Sequence, residues 1–325
     1  MAARVRVPGH DADGLHDADD WFCVSFSRVR LVRARFSLER SLSIVVLAAV
    51  AWVGAFGWEG RGAPPVAHAQ AGRVRLLART TCPVDMARIG SFCIDRYEAS
   101  VVDAKTGQPL SPYYPPEPKL LAFTHDFWRA EHRHVGSLRA RNLPLPPLPE
   151  IQKGSFSPRA VSAPGRLPQG YMTYHSAKRA CENAGKRLCS EQEWVRACRG
   201  SRGEKHPYGP NFEPGRCNVF RNIHPAFELH GNSALGHLDP RLHLVVEEGK
   251  RPLLERTGAL TRCVSSADEG QVYDMVGNLD EWIDDPNGTF VGGFYSRSTR
   301  EGCDAKIENH DPAYADYSLG TRCCL

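Results

Sequence analysis

From Cys82 to Asp103 the chain alternates apolar and polar residues, CPVDMARIGSFCIDRYEASVVD, around Ile89, Phe92 and Ile94. A period of two predicts half-buried strands. Downstream the period changes. In TYHSAKRACENAGK, Ala177, Ala180, Cys181 and Ala184 share one face by their three- and four-residue spacing, with Thr173 as N-cap and Gly185 as the stop. That is the pattern of an amphipathic helix. In SEQEWVRACRG, Ser190 and Glu193 form a capping box, Trp194, Ala197 and Cys198 line one face, and Gly200 ends the helix. Cys181 and Cys198 are therefore expected to point inward, where a cysteine suits packing or bridging better than attack on a substrate.

Other stretches lack such periods. Residues 109–168 hold 12 of the 24 prolines, including PYYPPEP and PLPPLP. Proline removes ladder donors, so this insertion is expected to be irregular or polyproline structure draped over the surface. Its Phe123, Phe127 and Trp128 predict that it packs down and is not a free linker. Residues 206–262 are loop-rich and carry His206, His224, His230, His237 and His243. Their spacing fits no ligand pattern such as HExxH, so structural histidines are expected. From Val272 onward, short apolar segments are separated by Gly, Asn and Asp turns. Asn287-Gly288-Thr289 matches a glycosylation sequon and reads equally as a turn. No repeat occurs.

Before Cys82 lies an uncharged run, SLSIVVLAAVAWVGAFGW, from Ser41 to Trp58. Arg28, Arg30, Arg33, Arg35 and Arg40 precede it, and Ala67-His68-Ala69 after it fits a small-residue cleavage site before Gln70. That layout predicts a secretory signal peptide or an uncleaved signal anchor in residues 1–69, followed by a tether at 70–81. The n-region is long, and Val29 or Val32 are candidate true starts. In either case the arginines are cytoplasmic and the bulk is exported, periplasmic or secreted, with the membrane touched only through an uncleaved N-terminal segment. Cysteine usage points the same way: of 11 cysteines, Cys23 precedes the run and ten follow it. An even number in an oxidising compartment reads as disulfides, and no CxxC pair supports a zinc ribbon or thioredoxin motif. Across 325 residues the formal net charge is only +4 with charges interspersed, which argues against nucleic acid as a partner.

Four segments occur in order: FCIDRYEAS, ACENAGKRLCSEQEWVRACRG, VYDMVGNLDEW with VGGFYS, and LGTRCC. Together they resemble the sulfatase-modifying-factor domain, the fold of the formylglycine-generating enzyme, from about Cys82 to Leu325. The resemblance implies a single compact α+β domain, 82–325, related to the C-type lectin fold and poor in regular secondary structure. It also implies the family's founding activity, oxidation of a cysteine in nascent sulfatases to formylglycine with oxygen and copper(I) held by two thiolates. Soft thiolates select copper(I). In active members those cysteines follow the Gly-Gly of the loop that here reads GGFYSRSTREGC. Ser296, Arg297 and Ser298 occupy the first candidate positions, and the loop's only cysteine is Cys303. Copper is therefore not expected.

Cys303 lies 20 residues before Cys323 and resembles a structural cysteine of disulfide-bearing members. The resemblance implies Cys198–Cys303 and Cys181–Cys323. Cys82–Cys93 is the natural local pair, Cys189–Cys324 is plausible beside the first helix, and Cys217–Cys263 remains. This is one of about 945 partitions, by extension of the counts for fewer cysteines. A reduced Cys303 converging with Cys323 and Cys324 as a new thiol site is the competing arrangement. The resemblance further implies calcium at YDMVGNLDEW, through Asp274, the carbonyls of Gly277 and Leu279, and Glu281, with Asn218 and Val219 resembling part of a second site. Calcium takes several oxygens in a flexible shell. An acidic turn is the plainer reading of the same residues.

Two functions follow. One is a catalytically lapsed binding or scaffold module, with Tyr295, Ser296, Arg297, Ser298, Thr299 and Arg300 lining the old cleft. Two arginines among hydroxyls suit a peptide or small anionic ligand through charge-assisted hydrogen bonds. The alternative is an extracytoplasmic oxidoreductase of the formylglycine-generating type, or a related protein-maturation enzyme. No replacement nucleophile with a neighbouring base stands in obvious spacing.

Overall fold

The alternation after Cys82 folds as a hairpin, β1 (Met86–Ile89) and β2 (Phe92–Asp95), paired antiparallel in the register Ile89↔Phe92. The computed structural model describes residues 81–247, 249 and 251–325. The signal segment expected in 1–69 and nearly all of the tether lie outside the described residues. Among the described residues, no helix is long and apolar enough to cross a membrane.

The two predicted helices form where their caps place them. Thr173 caps α3 (Tyr174–Asn183), accepting from the Ser176 amide at 3.0 Å, and Ser190 caps α4 (Glu191–Arg199) in a reciprocal box with Glu193. Gly200 ends α4 at φ 63°, a conformation that costs glycine nothing. Between the helices, β5 (Arg187–Leu188) runs beside the last strand, β12 (Cys323–Cys324), which also pairs with β2. The C-terminus is thus sewn into the middle of a sheet of order β1-β2-β12-β5. A second sheet joins β8 (Asp280–Trp282), β9 (Phe290–Val291), β10 (Lys306–Ile307) and β11 (Leu319–Thr321) in the order β10-β9-β8-β11, with β8 and β11 parallel. A short hairpin of β6 (Val264–Ser266) and β7 (Gln271–Tyr273) completes this half.

Five disulfides close, joining Cys82 to Cys93, Cys181 to Cys323, Cys189 to Cys324, Cys198 to Cys303 and Cys217 to Cys263. Both helices carry their cysteine on the inner face: Cys181 and Cys198 are fully buried. Two bridges fasten adjacent residues of β12 to the helical side, so the last strand cannot leave the sheet without breaking a covalent bond.

The Pro-rich stretch departs from its expected irregularity. Pro118 stands at the first position of α1 (Pro118–Glu131), where its missing N–H has no intrahelical partner to lose. Ser137 caps the short α2 (Leu138–Asn142). Pro158 opens β4 (Pro158–Ser162), which pairs over its whole length with β3 (Ala99–Asp103). Of the three aromatics expected to pack down, only Trp128 does, with the Arg241 guanidinium 5.2 Å from its ring. Phe123 and Phe127 are 65% and 44% exposed, because α1 turns only the face of Leu121, Thr124 and Trp128 to the core.

The histidines are mostly structural. His230 Nε2 lies 3.0 Å from the buried Asp239, at the end of α5 (Pro225–His230), and His206 stacks on Tyr208. His206 Nδ1 and His224 Nδ1 are buried without a hydrogen-bond partner among the described residues. At the sequon, the Asn287 amide and side chain both donate to Asp285 Oδ1, as in an Asx-type turn.

Candidate functional site

Two segments from opposite ends of one loop region meet here. The first is YDMVGNLDEW, whose tight course requires positive φ at Asp274 (56°), Gly277 (82°) and Asn278 (64°). At Gly277 only glycine fits, since a Cβ would collide with the Asn218 carbonyl. Asn278 then turns inward. Its Oδ1 accepts from Asn218 Nδ2 (2.9 Å) and the Glu255 amide (3.0 Å), and its Nδ2 donates to Glu98 Oε2 (2.6 Å). Glu98 Oε1 accepts from the Leu279 amide at 3.1 Å.

Three buried carboxylates, Glu98, Asp274 and Glu281, surround one buried guanidinium, Arg322. Arg322 holds Glu281 with contacts of 2.7 to 2.9 Å, and Trp194 Nε1 donates to Glu281 Oε2 at 2.6 Å. Burial pushes Glu98 well above the usual carboxylate range, and the neighbouring Asp274 and Glu281 charges push it further. Burial raises Asp274 to about 6, against the pull of the Gly258 N–H and Arg322. The chemistry of this set is mixed with respect to calcium. Three carboxyl groups face one guanidinium, an imbalance that a proton on Glu98 relieves as a further cation would. Both oxygens of Glu281, however, are already filled by donors. Asp274 Oδ2 likewise accepts from the Gly258 amide at 2.6 Å, and Glu281 fits the role of counter-ion to Arg322. Among the described residues, no three or more His, Cys, Asp or Glu side chains converge as a metal-holding group.

The second segment is the loop GGFYSRSTREGC. Its residues part company. Tyr295 is fully buried in a core cluster with Tyr171, Phe294 and Tyr317, and burial drives its phenol well above its ordinary value. Thr299 is buried too, beneath Gly293. These two therefore belong to the core and not to a cleft wall, because the turn at Phe294–Arg297 folds the phenol inward. Ser296 donates to the Ile223 carbonyl at 2.7 Å. Arg297 donates to Asp280 Oδ1 at 2.8 Å and lies over the Phe294 ring. Ser298 and Arg300 are exposed, Arg300 with its guanidinium 5.5 Å from the Phe220 ring centroid. Cys303 is bonded to Cys198, and all ten cysteines of the described residues are in disulfides.

Several neighbours of this loop were not singled out by sequence. Asp280 is completely buried, burial raises it to about 6 against the pull of Arg297, and its Oδ2 has no partner among the described residues. Tyr314 Oη lies 2.9 Å from Asp316 Oδ2 and 3.2 Å from His237 Nδ1, and Tyr317 Oη lies 3.3 Å from His224 Nε2. Burial lowers His243 to about 4, so it is neutral near pH 7. The signal that could have found this layer is composition: the histidines of 206–262 face a tail, DPAYADYS, in which tyrosines and acids alternate.

The sequence profile of the sulfatase-modifying factor enzyme 1-like domain matches residues 67–324. Inactive C-alpha-formylglycine-generating enzyme 2 of Bos taurus is 26% identical over 122 residues, 36% of this chain and 32% of that protein. Its Mus musculus counterpart is 27% identical over 122 residues, 36% of this chain and 31% of that protein. The chain thus matches about a third of the length of these relatives. Among solved structures, CarF is 14% identical with a TM-score of 0.35, covering 72% of this chain and 85% of that one. PvdO from Pseudomonas aeruginosa is 17% identical with a TM-score of 0.31, covering 72% and 79%.

Proposed function

The chain belongs to the sulfatase-modifying factor family and carries its formylglycine-generating-enzyme fold, and from that premise we propose that it is a non-catalytic, exported member that binds a peptide or small anion at the loop of Arg297, Ser298 and Arg300. The observation that carries the reading is the state of Cys303. The copper(I) chemistry of the family needs two thiolates, and a disulfide sulfur has no thiolate to give to metal or substrate. Cys303 is bonded to Cys198 on the inner face of α4, and the loop before it offers hydroxyls, guanidinium groups, the Glu301 carboxylate and one buried phenol, but no second sulfur. The Bos taurus and Mus musculus relatives are themselves named as inactive enzymes, which agrees with this reading.

Export rests on the Arg-flanked apolar run and on five disulfides, which persist in oxidising compartments. Ligand binding rests on Arg297. The recorded bond to Asp280 uses one of the guanidinium's five N–H donors, and its side chain is 28% exposed. The remaining donors suit a carboxylate or a peptide carbonyl beside the Ser298 hydroxyl and Arg300. The test is incubation of the copper-loaded protein with a cysteine-containing sulfatase peptide in air, read by mass spectrometry. No aldehyde product is expected. Product above that of a Cys303→Ala control overturns the reading and restores the oxidoreductase.

A further inference from the structure

The Pro-rich insertion 109–168, which has no part in the site above, builds one wall of a separate cavity of about 370 Å³. The start of α1 and the residues before β4 form that wall, and the outer face of α3 forms the other. None of the lining residues belongs to the Arg297 loop or to the carboxylate cluster. The volume lies within the ordinary range of small-molecule sites, roughly 300–1,000 Å³.

The lining divides by chemistry. Pro116, Pro118, Phe156 and Pro158 supply an apolar surface, and Phe156 is only 7% exposed. Lys119, His175 and Arg179 supply cationic or titratable groups. None of these three makes a side-chain hydrogen bond or ion pair among the described residues, although Lys178, immediately before Arg179, does pair with Asp284 at 3.6 Å. All three are exposed and border the cavity with their donors uncommitted to other side chains. One carboxylate, Glu117, also lines it. Glu117 accepts from Thr173 Oγ1 at 3.4 Å and forms no ion pair with Lys119 or Arg179. Ser157 Oγ accepts from Asn183 Nδ2 at 2.9 Å, which leaves its own proton to donate.

His175 apart, Lys119 and Arg179 against Glu117 give the lining one net positive charge. A monoanion balances it, and a dianion is disfavoured by Glu117. We propose that this cavity binds a small organic monoanion, a carboxylate on an aromatic or aliphatic body. The carboxylate would meet Arg179, Lys119 and Ser157, and the apolar body would lie on the proline and phenylalanine wall. Charge-assisted hydrogen bonds fix the head group, and burial of apolar surface supplies most of the remaining affinity.

The test titrates the full protein calorimetrically with benzoate, its neutral isostere benzamide, and phenyl phosphate at a pH where the phosphate is dianionic. Benzoate is expected to bind with a dissociation constant on the order of 1 mM, as its few heavy atoms allow. Benzamide should bind about tenfold more weakly, the loss of one charge-assisted interaction. Arg179→Gln and Lys119→Gln should each weaken benzoate severalfold without moving the melting temperature, since both side chains are exposed. Glu117→Gln should strengthen both anions, phenyl phosphate more than benzoate, since the relieved repulsion scales with ligand charge. Equal binding of benzoate and benzamide overturns the proposal. So does unaltered benzoate affinity in both cation variants, or no benzoate heat up to about 20 mM.

Discussion

Removing the Cys198–Cys303 bridge tests whether this bond is a structural staple. Both sulfurs are buried in the first core cluster, so Cys198→Ala with Cys303→Ala leaves no polar atom stranded there. A disulfide stabilises chiefly by restricting the unfolded chain. Taken alone, the bridge closes a loop of 105 residues, worth about 4.8 kcal/mol in the chain-entropy relation. The other bridges shorten that loop. From Cys198 the chain runs nine residues back to Cys189, crosses to Cys324, and runs twenty-one back to Cys303. A path of about thirty residues lowers the value to about 3.6 kcal/mol. Guanidinium unfolding followed by circular dichroism, with four bridges intact, should therefore show a loss of about 3–4 kcal/mol, with an m-value equal to or above that of the wild type because the unfolded chain is less restricted. A loss below about 1 kcal/mol refutes the staple, as does a free thiol at Cys303 in unreduced peptide maps of the wild type.

Calcium is the next expectation. Adding millimolar calcium after chelation should raise the melting temperature, by about 2.7 kcal/mol of stabilisation if calcium stands a hundredfold above its dissociation constant. Asp274→Ala should abolish the rise, and an unmoved wild-type melting temperature removes calcium from this site. Asp280 sets a pH dependence. Its folded-state value, about 6, is raised above the ordinary 3.8 by burial, so the contribution to stability is complete below 3.8 and is lost as pH rises through 6. Relative to Asp280→Asn, the wild type should gain up to about 3 kcal/mol between pH 7 and pH 4. His243, lowered to about 4, acts in the opposite direction between 6.5 and 4, but it is common to both proteins and cancels. Parallel stability curves for the two proteins contradict the assigned role of Asp280.

What could be read from sequence was local. The Ser190–Glu193 box spans three residues, and the inward placement of Cys181 and Cys198 follows from helical spacing alone. The contacts that define the site are not local. Glu98 meets Leu279 across 181 residues, and Arg322 meets Glu281 across 41. No period or spacing encodes such pairs. The Pro-rich stretch hides its elements for a different reason: proline content says nothing of proline position. A proline at the start of a helix or at the end of a strand removes no hydrogen bond. Pro118 and Pro158 hold such positions, so α1 and β4 form inside a segment whose composition argues against both. Tyr295 was misplaced because a loop residue beside a Gly-Gly turn gives no sign of which way its ring will point.

Arg297 has a structural reason to be where it is, apart from any ligand. Asp280 begins β8 with its carboxylate wholly buried, and an unpaired charge there would be costly. The Gly293 amide donates to Asp280 Oδ1 at 2.9 Å, and Arg297 donates to the same oxygen at 2.8 Å. The loop in which the resemblance places the copper thiolates of active members thus closes here on a carboxylate at its own base. The guanidinium anchors the turn that buries Tyr295, and Cys303 fixes the loop's far end to α4. With both ends held, the exposed part is reduced to Ser298, Arg300, Glu301 and the outer edge of Arg297. That surface carries two guanidinium groups against the one carboxylate of Glu301, the balance on which the proposed anion or peptide binding rests. It offers no pair of soft sulfurs for copper(I).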